Sequence, residues 1–579
     1  MRWERLRDKR YSRRWVLGAA GALGAAGVVS SCRGGGSKKP SSPGGSDDTE
    51  SPTQPGATPT RPPGVQTGGT IRYTGYVQDD GLFDPHKTQA SPFYGLQAMV
   101  FSRLLAYQDL AEGEATIYPD LAEKKPEQPD PQTLVFKLNR AARWHDREPL
   151  NARPVTAEDV KFSIERQRDG DASFIRKAKW QNIEAVEAQD DSTLRIKLKA
   201  PQAALLHLFA DVNSFIVAPE LNASGREITL EDQVGSGPFR FVEWNEGKFA
   251  SVTRNNAWHG GNGRPYLESV TLMQPSDASE VEAGLRTKRI DVALVGRPTA
   301  DQLRRVIPTL QERPVGTSLF FGMRFFIPQD PYSDVRFRTA VSIALDRRAM
   351  IQEFFSGSGE INPWISWPVK RWTLPQSELS NIAGYRPGDG GRAQDITDAK
   401  AMLAAVEKPI PEDIPLFVLD EAERSLEMGS LMSKQLAETL GLKVTVHPMA
   451  LAELVRRLIS GEAPWAAAPD TGWVDLDDWV YPYFHSQGTK NTFPLRDADV
   501  DALIDAQRTE LDDGKRRQIG FDIQRKLLAL NVGVNFVSER LISLARSYVH
   551  GFPLDIADGY QQLFADCWLD PADPDFRGR

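Results

Sequence analysis

One stretch of this 579-residue chain limits every reading of the rest. It is a run of small and apolar residues from Trp15 to Val29, behind a basic lead (Arg2, Arg5, Arg7, Lys9, Arg10) and the pair Arg13-Arg14. At 15 residues the run falls short of the ~20 that a helix needs to cross the hydrocarbon of a bilayer. Basic lead, paired arginines and short apolar core, in that order, match a twin-arginine export signal. The run is therefore an address, and the fold has to be sought after it. Residues 33–69 do not supply it: 26 of these 37 are Gly, Pro, Ser or Thr, and none is aromatic. Such a segment cannot bury enough apolar surface to offset the entropy of ordering it. As a flexible tether it reaches roughly 35 Å.

The apolar run ends at Val29-Ser30-Ser31-Cys32, which resembles the lipobox of a bacterial lipoprotein. That resemblance implies that Cys32 is diacylated and becomes the first residue of the mature chain, anchored to the outer face of the cytoplasmic membrane. Residues 1–31 carry seven basic and two acidic residues, which leaves 63 basic against 76 acidic and a net charge of −13. That balance argues against a nucleic-acid partner, which calls for a basic excess or stripe. With Cys32 lipidated, Cys567 has no partner within the chain and reads as a small buried hydrophobe. Two cysteines also exclude a disulfide scaffold and a Cys-ligated zinc domain.

From Gly69 on, strand and helix signals interleave to about residue 570, the pattern of an α/β or α+β protein. Thr70–Thr74, Thr133–Leu138, Thr193–Leu198 and Phe239–Trp244 alternate apolar with polar residues, as half-buried strands do. Thr156-Ala-Glu-Asp159 reads as a capping box opening a helix to about Gln167. Helical spacing recurs over Ser333–Ala344, Asp346 is placed to cap a second helix, and Asp499–Leu530 reads as two helices broken near Asp512-Asp513-Gly514. No repeat of fixed period is present.

Catalytic signatures are missing. There is no G-x-S-x-G, no phosphate loop and no H-E-x-x-H, and the seven histidines lie far apart. No metal site and no cofactor is expected. Asp475, Asp477 and Asp478 could serve a hydrolase acting through two acids, but in a chain with 78 acidic residues a local cluster is more often a solvated or capping feature.

Six blocks in order carry a family resemblance: Tyr118–Lys124 followed by Pro129-Asp130 and Thr133–Leu138; Arg143–Asp146 with Thr156–Arg166; Gly235–Trp244; Arg254–Trp258; Gly263–Leu267; and Asp334–Arg336 with Ala344–Arg347. In this order they resemble the family 5 extracytoplasmic solute-binding proteins that serve peptide and nickel ABC importers. Lys125 stands where that family often has Trp, Pro131 where Gly is usual, and residues 149–155 lengthen a loop. The resemblance implies an α/β fold of two lobes that close like a flytrap, the type II periplasmic-binding-protein architecture, with an extra subdomain inserted in the first lobe. It divides the chain into lobe I (69–105, 233–316 and a return at 541–579), the insertion (106–232) and lobe II (317–540). It also implies a non-enzymatic monomer, with permease subunits as partners.

In peptide-binding members of the family an acid after a Gly-Trp pair meets the ligand's ammonium. The matching stretch here is Gly472-Trp473-Val474-Asp475-Leu476-Asp477-Asp478-Trp479. Asp475 is the first choice, Asp477 and Asp478 the reserves; the alternative is that these acids cap a helix. Trp473, Trp479, Trp364 and Trp367 are candidate ring walls of a pocket, and Ser236 and Gly237 could offer backbone groups. An oligopeptide is the leading ligand, an oligosaccharide or another amino metabolite the rival. A cell-surface hydrolase and a sensory lipoprotein are the alternatives from other classes.

Overall fold

The sequence alternation of Thr70–Thr74 (β1) is answered in space: Ile71 and Tyr73 are buried while Thr70, Arg72 and Thr74 keep partial exposure. A computed structural model describes residues 62–75, 82–88, 91–109, 116–171, 173–361, 370–420, 423–471, 475–552 and 560–576. The export run, Cys32, Trp364, Trp367 and Trp473 lie outside the described residues. After β1, Leu105–Asp109 (β2) and Thr116–Pro119 (β3) form a hairpin. Glu127–Asp130 (β4), Thr133–Lys137 (β5), Ile183–Asp190 (β6) and Thr193–Leu198 (β7) make a four-stranded antiparallel sheet in the order β4-β5-β7-β6. Against it packs the helix Ala157–Asp169, opened by the expected capping box: the Asp159 carboxylate accepts from the Thr156 N–H at 2.8 Å. Antiparallel pairing with one polar face explains the alternation of Thr193–Leu198.

The larger sheet runs through both lobes. Phe239–Asn245 (β8), Phe249–Arg254 (β9), Ser269–Met273 (β10) and Val292–Val295 (β11) join β1 in the first lobe, β1 lying parallel to both β10 and β11. Gln311–Phe325 (β12) then leaves this lobe, and the short Gly359–Ile361 (β13) follows two helices later. Ile414–Leu419 (β14), Val444–Met449 (β15) and Trp465–Thr471 (β16) form the second lobe's parallel set, and Gly533–Ala545 (β17) returns. The full order is β15-β14-β16-β12-β17-β11-β1-β10-β9-β8, with β13 beside β17.

Two long antiparallel strands, β12 and β17, thus carry the chain between lobes. Their register shifts between Gly316 and Phe320, between a first-lobe half (Gln311–Gly316 opposite Ala545–Arg540) and a second-lobe half (Phe320–Arg324 opposite Ser538–Gly533). A bulge locally disrupts the ladder and bends it, which is what a crossing between two movable bodies needs.

Helix boundaries follow the local signals. Asp334 caps Val335–Ala344, and Asp346 caps Arg347–Phe355 through the N–H groups of Arg348 and Ala349 at 3.0 and 2.9 Å. Asp499–Leu530 is indeed two helices, Ala498–Thr509 and Asp513–Leu530, the second capped by Asp512. Cys567 is fully buried and its thiol donates to the Gly551 carbonyl at 3.2 Å, so it packs as a core residue. Among the described residues no helix is long and apolar enough to cross a membrane.

Candidate functional site

Strand direction locates the cleft. Val295, the last residue of β11, pairs with Ile542 while Val292 pairs with Ala545, so β11 runs toward the middle of β17. On the other side Thr471, the last residue of β16, pairs with Leu319 while Trp465 pairs with Phe325, so β16 also runs toward the crossing. The carboxyl ends of both parallel sets therefore face each other across the Gly316–Phe320 break. Ligands of open α/β sheets bind outside the carboxyl ends of the strands. The chain leaving these ends supplies Gly75, Gly296 and Asp420, and the crossing strands supply the floor.

On that floor stands Glu539, 7% exposed, whose Oε2 accepts from Arg424 Nη1 at 2.6 Å. Burial pushes its carboxyl above the ordinary range, and the Arg424 charge only partly opposes this. Arg424 comes from the second-lobe helix Glu423–Leu440 and also lies over the Phe355 ring, 5.6 Å from its centroid. On the first-lobe side, Gly296 precedes the helix Arg297–Val306. A Cβ built on it would stand 3.5 Å from Glu539 Oε1.

Asp475 occupies a different setting. It caps the helix Leu476–Phe484 by accepting from the Asp477 N–H at 2.8 Å, and Arg516 grips both its oxygens at 2.6 and 2.8 Å. Both side chains are 3% exposed. Burial alone would raise the Asp475 carboxyl, but Arg516 overcomes it and holds the group well below the usual range. His207 Nε2 lies 3.7 Å from Asp475 and its Nδ1 is 2.8 Å from the Tyr107 hydroxyl. Burial drops its pKa to about 4, so at neutral pH this contact is no ion pair.

The other expected residues fall around the same seam. Asp477 accepts from Gln507 Nε2 at 2.6 Å and lies 3.3 Å from Arg508; burial pushes it up to about 6. Asp478 forms an ion pair with Lys179, which also approaches Asp211 at 3.5 Å. Burial again raises Asp478, with Lys179 opposing. Since Lys179 belongs to the part of the chain carrying the four-stranded sheet, this pair fastens that part to the second lobe. The Ala203 N–H, donating to the Arg508 carbonyl at 2.8 Å, is a second fastening. Trp479 is 3% exposed and packs on Phe320 of β12, ring centroids 5.3 Å apart. Ser236 is fully buried, and the Gly237 groups are already engaged: its N–H donates to the Val100 carbonyl, and its carbonyl accepts from His145 and Asn255. A Cβ on Gly237 would meet the Met99 carbonyl at 2.6 Å, so this turn is glycine for close backbone approach. His145, beside Trp144, is packed rather than poised: it is 2% exposed and burial lowers its pKa to about 4. Among the described residues no group of three His, Cys, Asp or Glu is placed to hold a metal ion.

Residues 116–492, well over half of the chain, match the model of the bacterial extracellular solute-binding proteins, family 5. The chain belongs to this family. Binding a solute outside the cell is accordingly its function. A glutathione-binding protein of Pectobacterium atrosepticum is 25% identical over 444 residues, covering 73% of this chain and 80% of that protein. A probable di/tripeptide-binding protein of Pseudomonas aeruginosa is 24% identical, covering 76% and 86%. Among solved structures, the binding protein DppA of Helicobacter pylori in complex with the peptide STSA superposes with a TM-score of 0.69 at 18% identity, covering 87% of this chain and 98% of that one. That likeness fixes the two-lobed fold of this family 5 protein.

Glu539, Arg424, Arg516 and His207 escape the motif reading. Glu539-Arg540 is nevertheless a visible signal, the two charges of a 13-residue strand. A charge in such a place is costly unless paired, which marks it for function or for a specific partner.

Proposed function

We propose that this family 5 protein captures a peptide-like solute between its lobes, releases it unchanged to an ABC importer, and works as a monomer held at the outer face of the membrane by acyl chains on Cys32. The observation that carries the reading is the facing pair of parallel strand sets across the broken register of β12 and β17. It supports a cleft whose width changes with lobe closure, the arrangement by which a solute selects a closed state. The peptide class is taken from the relatives that bind glutathione and di- or tripeptides. Lobe I is read as 69–105, 233–316 and 541–579, lobe II as 317–540 and the insertion as 106–232, with both crossings near the register break. Trp364, Trp367 and Trp473, which lie outside the described residues, are proposed as its aromatic walls.

Native mass spectrometry of the full chain, purified in mild detergent, tests this. A ladder of adducts with short-peptide masses is expected. A single non-peptide mass would move the solute class to a sugar or another metabolite, and a product of altered mass after incubation with peptides would overturn the binding role.

A further inference from the structure

We propose that Glu539 Oε1, at the floor of the cleft, receives a primary ammonium group of the solute; this rests on the peptide-like reading above and deepens it. Three observations lead there. First, the carboxylate is more than nine-tenths buried on the strand that joins the lobes, and only one of its oxygens is used. Oε2 is bound to Arg424, while Oε1 accepts no hydrogen bond from the described residues. Second, the space beside Oε1 is kept open by a glycine, the N-cap of Arg297–Val306, whose φ and ψ do not require one. Gly296 has φ −69° and ψ 160°, values open to any residue. A Cβ there would meet nothing nearer than Oε1 at 3.5 Å, with Pro298 at 3.9 Å. A longer side chain at 296 would fill the gap beside the carboxylate. Third, Glu539 stands between Gly296 of the first lobe, beside Oε1, and Arg424 of the second, on Oε2, so a group held on Oε1 binds at the seam between the lobes and favours closure.

The chemistry selects the partner. A guanidinium prefers to bridge both oxygens of a carboxylate, and Arg424 already holds one. An ammonium is a compact point charge that needs a single acceptor. Burial leaves the Glu539 carboxyl under-compensated by Arg424 alone, so a second cation restores the balance that one guanidinium does not supply. The neighbouring charge Arg540 is not a competitor, since it is spent on Glu360.

The test uses the full chain in mild detergent, with three probes read by native mass spectrometry and calorimetry: a random tripeptide mixture with free amino termini, the same mixture N-acetylated, and the amines putrescine and spermidine. Wild-type protein should prefer the free tripeptides over the acetylated ones by about tenfold or more, the scale of one charge-assisted hydrogen bond. Glu539→Gln should abolish that preference with its melting temperature unchanged. Gly296→Leu, which leaves the carboxylate in place and fills the gap, should weaken the free tripeptides equally, and it stands in if Glu539→Gln fails to fold. Equal binding of free and acetylated tripeptides by the wild type, or undiminished preference in both variants, overturns the ammonium site while leaving the peptide reading intact. If neither mixture binds, the peptide reading falls. Amine binding that Glu539→Gln removes would then still sustain the site, and its absence would overturn it.

Discussion

Two buried carboxylates, Asp475 and Glu539, meet the same cost of leaving water and answer it differently. Asp475 is gripped at both oxygens by Arg516, caps a helix with one of them, and ends far below its ordinary pKa. Glu539 has one oxygen on Arg424, the other beside Gly296, and ends above it. The first is a finished structural unit in which charge, cap and packing satisfy one another. The second is held in place but left incomplete. A ligand site needs the second kind, because a fully compensated charge gains nothing from a partner that has yet to arrive. A sequence motif points to Asp475, whereas the count of occupied lone pairs points to Glu539.

The contrast can be broken experimentally. The largest effect belongs to Arg516→Ala, which strands Asp475 as an unpaired buried charge; a loss of about 3–5 kcal/mol is expected in urea unfolding. A loss under about 1 kcal/mol would show that the pair is not the structural unit described. Next comes the pH dependence of stability. His86, His145 and His207 are buried and held near pKa 4, against 6.5 in the unfolded chain. The unfolded state therefore takes up protons first as pH falls, and stability is lost between about 6.5 and about 4, by up to about 3 kcal/mol for each histidine. His207→Gln should make that drop shallower, and an unchanged slope would contradict the burial assigned to His207. The Asp475 carboxyl is depressed as well, so its contribution has the same sign: it is present above the unfolded value and is lost only at lower pH, below the histidine window.

A smaller effect is expected from Lys179→Met, which unties the Asp478 fastening between the four-stranded part and the second lobe. A bias of about 1 kcal/mol toward the open form would weaken solute binding roughly fivefold. Solution scattering should then show a larger radius of gyration without solute. Unchanged affinity and radius would assign the pair no role in closure. The smallest change is expected for the stability of Glu539→Gln, under about 1 kcal/mol, because the ionised group is disfavoured where it stands. A loss matching that of Arg516→Ala would erase the distinction between the two carboxylates.

What was legible in the sequence was local. Thr133–Lys137 and Thr193–Leu198 declare themselves by alternation, Thr156-Asp159 and Asp346 by the free N–H groups a helix start exposes, and Asp512-Asp513-Gly514 as a break between two helices. The family resemblance rests on such local blocks and so reaches the two-lobed fold. Beyond reach was whatever depends on partners distant in sequence. Nothing near Gln311–Phe325 says that this strand, with Pro314 and Gly316 inside it, crosses between lobes, because its ladder partner lies more than two hundred residues later. The motif at Asp475 says nothing of Arg516, which is on another helix, and no local signal joins Glu539 to Arg424, 115 residues away. Composition likewise does not say what a ring packs on: Trp479 meets Phe320, distant in sequence.

The central claim is that solute sits between the carboxyl ends of the two parallel sets, on the crossing strands. Hydrogen–deuterium exchange of the full chain, with and without the free tripeptide mixture, tests it directly. The account predicts new protection at residues 296–299, 316–320, 423–426 and 535–541, the rim and floor of one cleft. Protection confined to other segments, with the crossing strands exchanging as before, would contradict it.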